Sequence, residues 1–175
     1  IAWIFLIKSM ADTVRLTPYL DKFERKKHGN PKVSIILPAR NEEKFIGKCL
    51  DSLIDQDYTN YEIIVIDNLS SDNSHKKCKE KFDQIMLIEN KENLGYCEGN
   101  NVGIREASGD FIIILNPDTV VTSDCVTRLL DAYSKKGNAL YQPKILSLYE
   151  NNVIQSTKSA LLVQTPVLSF FHMCP

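Results

Sequence analysis

At 175 residues the chain suits one domain with a sizeable core. Its 21 basic and 22 acidic residues nearly cancel, which excludes nucleic acid as a bulk electrostatic partner. Five cysteines (Cys49, Cys78, Cys97, Cys125, Cys174) are odd in number and show no C-x-x-C pair, and His28, His75 and His172 share no ligand spacing. That pattern excludes a zinc site or a disulfide framework and predicts reduced thiols in a reducing, cytoplasmic compartment.

The chain opens on Ile-Ala-Trp-Ile-Phe-Leu-Ile-Lys, far short of the roughly 20 apolar residues that span a bilayer. Two readings stand: the tail of a membrane helix with Trp3 at the interface, or a short amphipathic or core helix. Lys8, Arg15, Lys22, Arg25, Lys26 and Lys27 follow closely, as on a cytoplasmic flank, and favour contact with the cytoplasmic face of a membrane. Residues 1–31 end in a polar linker broken by Gly29 and Pro31, and the folded domain is expected over 32–175. A start at Ile1 rather than Met, and an end just after an apolar run, predict a fragment at both ends.

From Lys32 onward, strands and helices alternate. Val33 to Leu37 is a continuous apolar strand, expected to stop at Pro38. Ile46, Cys49, Leu50, Leu53 and Ile54 repeat at helical spacing. Glu62 to Ile66 is a second buried strand ending at Asp67, and the polar run Asn68 to Lys81 predicts a weakly amphipathic helix capped by Ser70, Ser71 or Asp72. Ile85–Ile88 is a third strand. Tyr96 to Ser108 reads as a helix despite the poor propensity of Gly99 and Gly103. The fourth strand, Phe111 to Leu115, carries three isoleucines in a row and should leave the sheet at Pro117. Ser123 is placed to cap a last helix stopped at Gly137, and Ala139 to Gln142 begins a further strand. Repeated β-α units with continuously apolar strands predict a three-layer α/β/α fold with a mostly parallel sheet.

Such sheets bind ligands at the carboxyl ends of their strands. The first strand delivers Pro38, Ala39, Arg40 and Glu42 to that rim, the second Asp67, and the fourth Asn116 and Asp118. A carboxylate at Asp67 suits the ring N–H of uracil or guanine. One at Asp118 suits a hard divalent cation that also takes diphosphate oxygens, Mg2+ or Mn2+ rather than zinc. Each of these residues taken alone is equally a turn or helix-cap residue. Three polar strand ends meeting on one rim are harder to explain as caps.

The run Val33-Ser34-Ile35-Ile36-Leu37-Pro38-Ala39-Arg40-Asn41-Glu42-Glu43, followed by Ile66-Asp67-Asn68 with Ser70-Ser71-Asp72, resembles the opening of family-2 glycosyltransferases. Asn93-Leu94-Gly95, Asn100-Asn101-Val102-Gly103, Ala107-Ser108-Gly109-Asp110 and Leu115-Asn116-Pro117-Asp118 are similar to that family's middle segment. The resemblance covers roughly residues 32–145 and implies a GT-A type fold that binds nucleotide-diphospho-sugars and transfers the sugar with inversion. Carried over, it implies that Pro38, Arg40 and Glu42 flank the nucleoside, with Ala39 also binding donor, and that Asp67 holds the base. It likewise implies that Asn93, Gly95 and Asn101 line the donor pocket, and that Asp118 is the metal carboxylate of the D-x-D motif. The motif's first position is Asn116, a variant resembling the rhamnosyltransferase-like branch, where the amide offers an uncharged carbonyl oxygen to cation or sugar. The implied acceptor is a glycan, lipid-linked or other hydroxyl. In the resembled family the inverting base lies further along, so it is expected beyond residue 175. Two alternatives remain: a nucleotide-sugar binding module without catalysis, and a sugar-nucleotide pyrophosphorylase. The Pro38-Ala39-Arg40-Asn41 loop lacks the glycines a triphosphate cradle needs, which counts against the second alternative.

Overall fold

The computed structural model describes residues 29–136 and 140–143, and the backbone of 160–164. The N-terminal apolar and basic segment, the stop at Gly137 and the start of the strand expected from Ala139 lie outside the described residues. Five strands, β1 (Val33–Ala39), β2 (Tyr61–Asp67), β3 (Ile85–Glu89), β4 (Phe111–Leu115) and β5 (Ala160–Gln164), form one sheet in the order β3-β2-β1-β4-β5. The first four run parallel, and β5 pairs antiparallel with β4, Ile113 opposite Leu162. Four helices connect or follow them: α1 (Ile46–Ile54), α2 (Ser74–Lys81), α3 (Gly95–Glu106) and α4 (Cys125–Lys136). Among the described residues no helix is long and apolar enough to cross a membrane.

Strand alternation sorts the core into two layers. Val33, Ile35, Leu37, Ile63, Val65, Phe111, Ile113 and Leu115 face α1, α2 and α4, meeting Leu50, Leu53, Cys78, Val126 and Leu129. Ile36, Ile64, Ile66, Ile112 and Ile114 face the other way, under Val102, Ile104 and Ala107 at α3. Each isoleucine buried there contributes about 1.5–3 kcal/mol. The chain steps outward from β1 to β3 and then returns to β4 on the far side of β1. With right-handed crossovers, that reversal puts α3 on the opposite face from α1 and α2. The three-layer expectation holds.

Local details differ from the sequence reading: α2 starts only at Ser74, so Ser70 and Ser71 lie ahead of it and do not cap it. Pro38 does not end β1, which runs on to Ala39. The Ala39 carbonyl accepts the Asn68 N–H at 2.8 Å on the β2 side. Alternation therefore turns the donor that Pro38 lacks towards β4, whose pairing with β1 finishes at Ile36–Ile114. Ser123 does not cap α4; its carbonyl accepts the Asp57 N–H at 2.8 Å, and the Thr122 carbonyl takes the first helical N–H, from Cys125, at 3.0 Å.

The lower end of the sheet is held by Glu62. Its carboxylate accepts from Lys32 Nζ at 2.6 Å, Ser34 Oγ at 2.5 Å and the Ser108 N–H at 2.8 Å. Partial burial raises the carboxyl pKa, but the Lys32, Ser34 and Ser108 hydrogen bonds outweigh it and bring the value to about 2. This network ties β1, β2 and the entry to β4 together at the end opposite the polar rim.

Candidate active site

At the carboxyl ends of β1 and β4, where the strand order reverses, the rim opens into a cleft of about 390 Å³. Its lining comes from Pro38 and Ala39 at the end of β1, Arg40 and Glu42 after it, Asn68 after β2, Asn93, Gly95 and Tyr96 at the start of α3, and Asn116, Pro117 and Asp118 after β4. Four segments distant in sequence meet there because parallel strands all release their chains on one edge.

The loops after β1 and β2 are stitched to each other. The Asn41 N–H donates to Ser70 Oγ at 2.9 Å, and the Ser71 N–H donates to Asn41 Oδ1 at 2.8 Å. Glu42 N–H donates to Ser74 Oγ at 2.8 Å, and Glu43 N–H to Asp72 Oδ2 at 3.0 Å. Ser70 and Ser71 therefore bridge loops, while Asp72 Oδ1 also accepts the Ser74 N–H at 3.0 Å at the start of α2. Asn41 and Leu69 both sit at φ +59°. Asparagine tolerates that left-handed geometry, but for leucine it costs about 1–2 kcal/mol. The stitched loops hold that strain beside the cleft.

Asn68 sets the third wall. Its Oδ1 accepts the Leu94 N–H at 3.1 Å and Asn90 Nδ2 at 3.0 Å, while its Nδ2 donates to the Gly95 carbonyl at 2.8 Å. The side chain thus pins the turn that leads into α3. Gly95 makes that turn at φ +75°, and Asn93 Oδ1 accepts the Gly95 N–H at 3.1 Å. Gly103 lets α3 lie close on the sheet: a methyl group there would stand 2.5 Å from Ile36 Cγ2 and 2.7 Å from Ile66 Cδ1.

Two carboxylates, Glu42 and Asp118, share the cleft with one cationic side chain, Arg40. Partial burial raises the Glu42 pKa, and the charges of Asp118 and Asp72 push it further up. Below them Cys49 is buried, and burial followed by the Asp118 charge lifts its thiol to about 12. Asp67 is buried at the edge of this arrangement. Its Oδ2 accepts the Ser70 N–H at 3.2 Å, while its Oδ1 is sealed from solvent with no hydrogen-bond partner among the described residues. A buried carboxylate oxygen with nothing to accept is costly and calls for a donor.

Pro38, Ala39, Arg40, Glu42, Asn93, Gly95, Asn116 and Asp118 therefore come together in the cleft, with Asp67 buried nearby. Asn101 is not brought to the lining. It sits further along α3, where its Nδ2 donates to Glu98 Oε2 at 2.9 Å. The sequence reading missed Asn68, Tyr96 and Pro117 as lining residues, although Asn68 directly follows the β2 carboxylate, Tyr96 directly follows a glycine at a helix start and Pro117 stands between Asn116 and Asp118. Among the described residues no group of three His, Cys, Asp or Glu could hold a metal unaided. The oxygen set of Asp118, with Glu42 beside it, fits Mg2+ or Mn2+ of the kind that takes one or two carboxylates and completes its shell with substrate phosphates and water.

Known proteins resemble this chain in sequence and in fold. Over 100 residues the chain is 36% identical to Glycosyltransferase GlyA of Streptococcus pneumoniae serotype 4, a match covering 56% of this chain and 14% of that relative. The fold is similar to S. aureus TarS 1-349 in complex with UDP-GlcNAc, at TM-score 0.70 and 20% identity over 79% of this chain and 46% of that one. It is also similar to mannosyltransferase PcManGT from Pyrobaculum calidifontis in complex with GDP-Man and Mn2+, at TM-score 0.68 and 18% identity over 94% of this chain and 53% of that one. The chain thus spans about half, or much less, of each of these proteins. The family profile described as Glycosyl transferase family 2 matches residues 34–168, which takes in every strand of the sheet except the first residue of β1 and all of the cleft. By that match the chain belongs to glycosyl transferase family 2.

Proposed function

We propose that this chain carries the donor-binding part, residues 32–175, of an inverting glycosyltransferase. In that reaction a sugar passes from a nucleotide-diphospho-sugar to an acceptor hydroxyl of a glycan or lipid-linked glycan. The observation that carries the reading is the pairing of an open, acid-bearing cleft at Asp118 with the unpartnered Oδ1 of buried Asp67. A uracil or guanine ring N–H satisfies Asp67, and the stitched loops after β1 and β2 hold the nucleoside between them. Asp118, with Glu42 beside it, would hold Mg2+ or Mn2+. When bound, the cation offsets the charge that develops on the departing nucleoside diphosphate. Arg40 adds a positive charge on the same rim.

Inversion needs a base facing the acceptor hydroxyl. Glu42 and Asp118 are the acids lining the cleft, and both are assigned to the donor side. Cys49, Cys78 and Cys125 as free thiols support a reducing compartment, the cytoplasm or the cytoplasmic face of a membrane. Solved relatives of similar fold hold UDP-GlcNAc in one case and GDP-Man with Mn2+ in another, which supports the donor class and the cation.

A thermal-shift screen of UDP and GDP sugars with and without Mn2+ tests the reading, because a ligand that binds only the folded chain raises its Tm. Asp118→Ala is expected to abolish the Mn2+-dependent part of the shift while leaving the ligand-free Tm within a degree or two. Undiminished Mn2+-dependent binding in that variant would remove the metal assignment. A chain stabilised by none of the donors would remove the function.

A further inference from the structure

Asn116 lines the cleft two residues before Asp118, and its amide has a partner there. Tyr96 Oη lies 3.3 Å from Asn116 Oδ1, with the hydroxyl donating and the carbonyl oxygen accepting. Both residues line the cleft. With Oδ1 engaged, Nδ2 is the end of the carboxamide left without a hydrogen-bond partner among the described residues.

Both partners are held from behind. The Tyr96 carbonyl accepts Asn100 Nδ2 at 2.9 Å, and Asn100 is fully buried. One residue earlier, the Gly95 carbonyl is gripped by Asn68. Asn116 directly follows β4, and its carbonyl accepts the Thr119 N–H at 3.1 Å. The Tyr96 side chain is half exposed, so packing does not account for an aromatic ring at the mouth of the cleft.

We propose that Tyr96 is a positioning residue that turns the Asn116 carboxamide so that its N–H2 donors face the cleft. Position 116 then supplies a hydrogen-bond donor to a diphosphate oxygen of the sugar nucleotide, and the cation is left to Asp118. This rests on the donor-binding reading of the cleft and changes one part of it. The carbonyl oxygen of Asn116 serves Tyr96 and is not a metal ligand.

Tyr96→Phe removes only the hydroxyl and keeps the ring. In calorimetry with the full chain and Mn2+, the variant is expected to bind UDP about threefold to tenfold more weakly, as befits one lost orienting hydrogen bond. Uridine, which has no diphosphate, should bind both forms equally. In an Asn116→Ala background the same substitution should have no further effect. Equal UDP affinity, a parallel loss for uridine, or multiplicative losses in the double variant would each overturn the assignment. A ligand-free measurement separates this from failure of the donor reading. The side-chain amide NMR signals of Asn116, identified by their loss in Asn116→Ala, should shift in Tyr96→Phe. Unmoved signals overturn the inference even if donor binds. Shifted signals in a chain that binds no UDP sustain the Tyr96–Asn116 pairing and overturn only its ligand.

Discussion

Replacing Gly103 by alanine should destabilise the chain, although helix propensity alone says the opposite. Gly→Ala in a helix interior gains about 1 kcal/mol. At Gly103, however, the new methyl would stand 2.5 Å from Ile36 Cγ2 and 2.7 Å from Ile66 Cδ1. Both isoleucines are fully buried and neither can swing into solvent. Overpacking of this kind costs about 1–3 kcal/mol, so the net loss reaches about 2 kcal/mol after the propensity gain, a fall in Tm of up to roughly 8 °C. Because α3 carries Gly95 and Tyr96 into the cleft, lifting the helix off the sheet should also weaken nucleotide binding. Gly47 in α1 provides the control, since nothing lies within 4 Å of where its methyl would go. Gly47→Ala should raise Tm by a few degrees. Thermal melts followed by circular dichroism decide the matter. If Gly103→Ala raises Tm as Gly47→Ala does, the close approach of α3 to β1 and β2 is wrong.

Two further outcomes follow from buried and half-buried carboxylates. Glu62 has a folded-state pKa of about 2 against an ordinary 4.5, so the folded chain binds its proton later than the unfolded chain. Its stabilisation is therefore complete above the unfolded value and is lost as pH falls from about 4.5 towards 2. At one-fifth exposure this amounts to about 1–2 kcal/mol after solvent screening. Urea titrations should show that acid-dependent loss in the wild type and a flatter profile in Glu62→Gln; superimposable profiles would remove the clamp. Asp67→Asn keeps an acceptor for the Ser70 N–H and removes a buried charge whose Oδ1 has no partner. The ligand-free Tm should rise while UDP affinity falls at least tenfold. A lower Tm with intact binding would mean that Asp67 serves the fold rather than the ligand.

The amino-acid order by itself determined the layers and the rim. Apolar runs such as Ile112-Ile113-Ile114 make sense only between two helical layers, and each of the β1, β2 and β4 runs ends in polar residues that a parallel sheet must release together. Cleft residues in contiguous motifs, Pro38 to Glu42 and Asn116 to Asp118, were legible for that reason. Tertiary structure decided what depends on partners distant in sequence. Pro38 stays inside β1 because β4 stops pairing two residues earlier, which no local rule reveals. Asn101 looked like a cleft residue from its motif, but helical rotation carries it towards Glu98. Asn68 and Tyr96 gained their roles only when α3 was pressed against β1 and β2 through Gly103. Helix and strand periodicity report which face of an element is buried. The choice of side chains that meet across a cleft depends on how closely those faces approach.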